Sequence, residues 1–390
     1  MMNNSGFSGL LAQEWRWIRS DRWLTALLSW LPLFLFAVIW LIFSAGTARE
    51  MPVAVVDMDN SQLSRALVRY YDASPTVLVS HYSSTHEAAE AMNRGDVFAM
   101  VEIPLKFEKQ TLRGEKPNVN AMFNSQYILI GKLISSALSQ AHSTFAAMVE
   151  TKGHMMKGTT VSRQALGESV PIRFQMVPLF NAGTNYAQFL VSAVIPAIWQ
   201  IIIVSAAIFS LTVTDRKVGI EHWLRERPVA KIAAKSIAIF LPLLAMGILF
   251  GSVMHFGLGW PMNGSWLILF SAQAMLVLAA IAIGSLLYLG TRDPVRAMSM
   301  AAGYTAPAFA FMGVSFPTSE MPAFAQYWRA MLPVSHYVSV QIGQFNYGAT
   351  LLQSLPHFQA LAMFGIAWLL VAMKYRGIRK AAQSVTGVSQ

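Results

Sequence analysis

The sequence predicts a mainly α, polytopic membrane protein: six transmembrane helices with an inserted extracytoplasmic α/β domain. Three observations carry this reading. The 390 residues are 55% hydrophobic and only 12% charged, about half the charge of a soluble domain. Six apolar runs have the length needed to cross a bilayer. Between the first and second runs, β-branched stretches alternate with helical periodicity.

The elements follow in chain order. Residues 1–22 form a cytoplasmic interfacial helix, because Phe7, Leu10, Leu11, Trp15 and Ile18 alternate with Arg16, Arg19 and Arg22. A cleaved signal peptide is disfavoured: the following apolar run is too long, and no small-residue cleavage site precedes its end. The first span covers 23–44. Residues 45–185 make the extracytoplasmic domain, with strands expected at 51–57, 76–81, 97–103 and 119–123. Helices are expected at 61–71 and at 85–93, the latter with Thr85 as N-cap, followed by a helical stalk at 126–152. Residues 153–178 read as loop. Spans two to six fall within 186–373, at 186–212, 236–256, 266–289, 297–314 and 357–373. The stretch 315–345 reads as outer re-entrant helices, and 374–390 as a cytoplasmic tail.

Charge assigns the sides. The net charge of +10 invites a nucleic-acid reading. Its distribution removes that reading. The segments placed inside hold 15 Lys and Arg against 6 Asp and Glu, whereas the domain after the first span holds 13 against 12. Basicity concentrated on one face is a topology signal, with both termini inside. With no cysteine, disulfide and thiol chemistry are excluded.

The chemistry of transport narrows next. The spans contain no Asp, Glu, Lys or Arg near their centres, which argues against a self-driven proton antiporter. Gln200 and Gln273 are the polar candidates there, either for the pathway or, more simply, for helix packing; His255 reads as interfacial. No G-x-x-x-x-G-K-[ST] run occurs, so the chain carries no Walker nucleotide site. His81, His86, His142 and His154 match no metal-ligand spacing. Ser335-His336 with Glu320 lacks the context of a hydrolytic site. If the chain transports, these absences point to another polypeptide as the energy source, docked on the cytoplasmic side. The long segment available is Thr214–Lys235, TDRKVGIEHWLRERPVAKIAAK. Its bland reading is a basic topology anchor. Its sharper reading is a helix at 214–227 whose apolar set, Ile220, Trp223 and Leu224, faces a partner. Arg216, Lys217, Glu221 and Arg225 flank that set. Arg227, Lys231 and Lys235 read as membrane anchors.

Two local strings and this loop carry a resemblance. VAVVDMDNSQLSR follows the first span, and VSFPTSEMPAFAQYWRAMLPVSHYV precedes the last. The loop runs Asp215-Arg216-Lys217, Gly219, Ile220 to Glu226, then Pro228. In this combination the chain resembles an ABC-2-type permease, the membrane subunit of an ABC exporter, in the subgroup with a large periplasmic domain. Many relatives have Thr after the glycine, where this chain has Ile220; that touches the helix cap. The resemblance implies a coupling helix seated on an ABC ATPase subunit, with ATP and Mg bound by that partner and no cofactor in this chain. It implies a second permease copy or a paralogue, a bacterial inner membrane location, and export of drug-like or amphiphilic compounds. Relatives often work with a periplasmic adaptor and an outer-membrane channel. The alternative class is a membrane-anchored receptor or structural protein whose outer domain binds a ligand or partner.

Overall fold

The computed structural model describes residues 6–44, 46, 49–125, 128–156, 181, 185–314 and 316–387. Two compact units emerge, residues 1–46 with 179–390, and residues 47–178. Most of the region expected as loop, 157–178, lies outside the described residues; helix continues through Met156.

The second unit is built on four strands: β1 (Met51–Asp57), β2 (Val77–His81), β3 (Ala99–Ile103) and β4 (Asn120–Phe123). The order is β2-β1-β3-β4, parallel except for the β3–β4 pair. Alternation along β1 divides the core. Val53 and Val55 face Leu67, Tyr71, Phe107 and Ile134, whereas Ala54 and Val56 face Ala88 and Ala91. The strand-to-helix corner is closed by hydrogen bonds. Ser61 caps the helix Gln62–Asp72, and the Ser64 hydroxyl donates to Asp57 Oδ2 at 2.6 Å. The next helix, Thr85–Arg94, is capped by Ser84 rather than Thr85, through Glu87 N–H at 3.2 Å. A long helix, Ile128–Met156, covers one face. Its His142 stacks on Tyr71, whose hydroxyl lies 3.0 Å from Nδ1.

The first unit is helical. Its helices, labelled in order within this unit, begin with α1 (Phe7–Ser20), α2 (Arg22–Leu27) and α3 (Trp30–Phe43). There follow α4 (Tyr186–Val218), the single turn α5 (Ile220–Trp223), α6 (Pro228–Ser252) and α7 (Trp266–Thr291). Then come α8 (Pro294–Thr305), the turn α9 (Ala308–Phe311), α10 (Ala323–Ala330) and α11 (Pro333–Ile342). The last are α12 (Leu351–Met363) and α13 (Gly365–Gly387).

Among the described residues, four helical stretches are long and apolar enough to cross a membrane: Tyr186–Val218, Pro228–Gly257, Trp266–Thr291 and Leu351–Arg379. The other two expected spans are apolar but interrupted. Residues 23–44 break at Leu28–Ser29, which leaves the 14-residue α3 with Pro32 in its first turn. Residues 297–314 stop at Thr305, because Pro307 has no N–H to continue the ladder. Small residues let the remaining helices meet closely. A Cβ on Gly284 of α7 would lie 2.5 Å from the Val204 carbonyl of α4, and one on Gly247 of α6 would collide with the Trp199 ring.

The helix α1 turns one face inward, Leu10, Glu14 and Ile18, at i, i+4 and i+8. The central member is a buried carboxylate. Its Oε2 accepts from Lys235 Nζ of α6 at 2.6 Å, and both side chains are at most 6% exposed. Lys235 also donates to the Ser210 carbonyl of α4 at 3.3 Å. The helix α1 is therefore pinned to the bundle by an ion pair as well as by apolar contact. Lys231 and Lys235 are buried rather than serving as surface anchors.

Two outcomes follow. Glu14→Ala leaves a buried ammonium without its counter-ion and should cost about 3–5 kcal/mol in detergent unfolding. The double variant Glu14→Ala with Lys235→Met should recover most of that loss. In the second unit, burial pushes the His142 imidazole below its ordinary value of 6.5. The unfolded chain therefore binds the proton first. This contribution is complete above 6.5 and lost as pH falls toward the lower folded value. Melting between about pH 7.5 and about pH 5 should show an acid-side loss that His142→Gln reduces.

Candidate functional site

The segment from Thr214 to Lys235 folds differently from a single docking helix. Residues 214–218 complete α4, which ends where Gly219 takes φ +72°, a backbone region that glycine adopts without strain. One turn follows at Ile220–Trp223. Arg227 then adopts φ +48°, and Pro228 opens α6 at a position where its missing N–H costs nothing. The separate element is thus 220–223 instead of 214–227.

Its N-terminus has no side-chain cap on Gly219 itself. Asp215 supplies one from the preceding turn: Oδ1 accepts from Ile220 N–H at 2.9 Å. The other oxygen, Oδ2, accepts from the Tyr288 hydroxyl of α7 at 2.8 Å. The absence of Thr at position 220 is thereby compensated, and the turn is tied to α7.

The apolar set is turned into this chain. Ile220, Trp223 and Leu224 are at most 4% exposed and belong to the main core. Trp223 packs on Tyr375 of α13, with ring centroids 6.4 Å apart. Lys235 Nζ sits 5.3 Å above the Trp223 ring and 5.6 Å above that of Trp17, a cation–π arrangement. Lys231 Nζ donates to the Trp223 carbonyl at 2.8 Å. This corrects the expectation that the apolar face meets a partner: the bundle's own core satisfies it.

The opposite face is exposed and charged. Arg216, Lys217, Glu221, His222, Arg225 and Glu226 all point outward. Glu221 reaches Arg292, the residue that follows α7, at 3.5 Å. Such an exposed pair contributes little to stability. Its geometry instead sets two connections, 219–227 and 292–293, beside each other.

The two glutamines act as helix cross-links. Gln200 Oε1 accepts from Val334 N–H at 2.8 Å, an orphan donor in the first turn of α11. Gln273 Nε2 donates to the Gly247 carbonyl at 2.9 Å and to the Tyr337 hydroxyl at 3.1 Å. Both side chains are fully buried. His255 Nδ1 lies 2.8 Å from the Trp260 carbonyl and closes a turn. His336 Nε2 meets the Ala330 carbonyl at 3.0 Å rather than Ser335. Among the remaining histidines, His86 pairs with Glu90 at 3.4 Å and His142 with Tyr71; the His154 side chain lies outside the described residues.

Sequence reasoning missed Glu14, Asp215 and Tyr288 as organisers of this region. The signal for Glu14 was available: it is a lone carboxylate on an apolar stripe, four residues from Leu10 and from Ile18. Nothing local marks Tyr288, which acts across more than seventy residues of chain.

Comparison with known proteins supplies the relation. A family model described as ABC-2 family transporter protein matches residues 22–374. The chain is 25% identical over 342 residues to the inner membrane transport permease YhhJ of Escherichia coli strain K12 and to its Shigella flexneri counterpart. Each alignment covers 84% of this chain and 85% of the relative. ABC transporter G family member 20 of Dictyostelium discoideum is 20% identical over 306 residues, 77% of this chain and 40% of that protein. No solved structure matches the chain. With its mainly helical, membrane-type architecture and a family match over nearly its whole length, the chain belongs to the ABC-2 family of transporter proteins.

Proposed function

We propose that this chain is the permease subunit of an ATP-driven exporter, powered by a separate ABC ATPase subunit on the cytoplasmic side. The observation that carries the reading is the two-faced turn at 220–224: an apolar side locked in the bundle and a charged side left outside. A push on that charged face would be transmitted by rigid contacts. Asp215 leads to α7 through Tyr288, Trp223 leads to α13, and Lys231 and Lys235 lead to α6 and α1. Arg216, Lys217, Glu221 and Arg225 are the contacts assigned to the ATPase. Ile220, Trp223 and Leu224 hold the element in place.

In this reading ATP and Mg belong to the partner, since the sequence contains no Walker motif. A second copy or a paralogue completes the pathway. The inside-basic charge balance supports cytoplasmic termini and a periplasmic domain at 45–185. Six crossings require α2 with α3, and α8 with α9, to act as broken spans, which protein packing can tolerate. Drug-like or amphiphilic cargo, a periplasmic adaptor and an outer-membrane channel extend the same proposal. The family favours transport over a receptor role.

Co-reconstitution with the ATPase tests the assignment. Glu221→Arg should lower coupled ATP hydrolysis about tenfold or more while leaving the permease folded. Trp223→Ala should lower both coupling and stability, the latter by about 3–5 kcal/mol, because it empties a core site. Unchanged activity and complex formation in both variants would remove the coupling role.

A further inference from the structure

The second unit contains an open cavity that its own core does not fill. β4 ends the strand order, and all four of its residues are exposed. Its register pairs Phe123 with Ala99 and Ala121 with Val101. Ala99 and Val101 belong to the core beneath helix Ile128–Met156, so Ala121 and Phe123 stand on the face toward that helix. The helix meets the strand near its own start: a Cβ on Gly131 would come within 2.9 Å of the Phe123 ring. Further along, it rests on helix Gln62–Asp72, with His142 on Tyr71 and Phe145 on Tyr70. Between these contacts strand and helix part, leaving a cavity of about 380 Å³.

Its walls differ in character. Val119, Ala121 and Phe123 make one side apolar. Ser135, Leu138, Ser139 and His142 line the other, at i, i+3, i+4 and i+7 along one stripe of the helix. No Asp, Glu, Lys or Arg lines the cavity among the described residues. His142 adds no charge near neutral pH, because burial holds its imidazole below the ordinary value. Tyr71 is 2% exposed, and its hydroxyl lies 3.0 Å from His142 Nδ1. Burial keeps that hydroxyl protonated, so it donates to Nδ1. The neutral ring then carries its hydrogen on Nε2, which becomes the donor this wall offers. A concavity of this volume, apolar on one side with a few fixed polar groups on the other, has the make-up of a small-molecule site. A charged ligand would lose hydration there and find no counter-charge. A flat ring suits the gap between a strand and a helix.

We propose that the cavity between β4 and helix Ile128–Met156 binds a small uncharged aromatic molecule that carries a hydrogen-bond acceptor. The ring lies against Ala121, Phe123 and Leu138, and the acceptor takes the hydrogen of His142 Nε2. The site falls wholly within the second unit and does not depend on the ATPase partnership.

Photolabelling of the full chain, purified in dodecyl maltoside, tests the site. The probe is 4-(hydroxymethyl)benzophenone, and labelled positions are mapped by peptide mass spectrometry. Labelling within 119–143 should saturate with probe concentration, and Ala121→Trp, which fills the gap from an exposed strand position, should abolish the saturable part. Labelling that rises without saturation, or is unchanged in Ala121→Trp, would overturn the site. If that variant does not fold, Ser139→Trp fills the gap from the opposite wall and is read the same way. The anionic 4-benzoylbenzoate and the cationic (4-benzoylbenzyl)trimethylammonium should label 119–143 more weakly than the neutral probe; equal or stronger labelling by either would overturn the preference for an uncharged ligand. Acetophenone should compete about threefold to tenfold better than ethylbenzene, which has the same shape but no acceptor. Equal competition would overturn the role given to His142.

Discussion

The buried ion pair between Lys235 and Glu14, 2.6 Å apart, is the constraint on which the end of the helical unit around residues 210–235 depends. A charge placed there without its partner would be expensive. The pair therefore forces α1 to stay against α6. The same ammonium touches the Ser210 carbonyl and lies over Trp17 and Trp223, so α1, α4, α5 and α6 share one cation. Isosteric apolar residues would pack as stably. What the pair adds is register: α1 cannot slide or rotate without stranding Glu14.

On that fixed base the turn at 220–224 becomes a stiff connection. A helix of four residues has no stability of its own. It is held by Asp215 at its start, by Lys231 on the Trp223 carbonyl, and by complete burial of its apolar side. Movement imposed on its exposed charges would therefore displace α4 and α7 together, because Asp215 and Tyr288 join them. A loose basic loop could bind a partner but would dissipate its motion.

The polar residues inside the helices serve the same end. Gln200 and Gln273 each bind backbone of another helix, and Trp368 Nε1 donates to the Leu278 carbonyl at 3.1 Å. Such bonds fix helix against helix where apolar surfaces alone would slide, since lipid competes equally for those surfaces.

Much was legible in the chain alone. Apolar runs marked the long helices, and short extended apolar runs marked β1 to β4, because these properties are local. The loop at 214–235 stood out for the same reason. Which way its residues face was not legible. A single turn shows an apolar side whether that side meets a partner or its own bundle, and periodicity cannot tell these apart. Only packing decided that Ile220, Trp223 and Leu224 point inward and that Lys231 and Lys235 are buried. Glu14, Asp215 and Tyr288 gained their roles the same way, through contacts that join residues far apart in the chain.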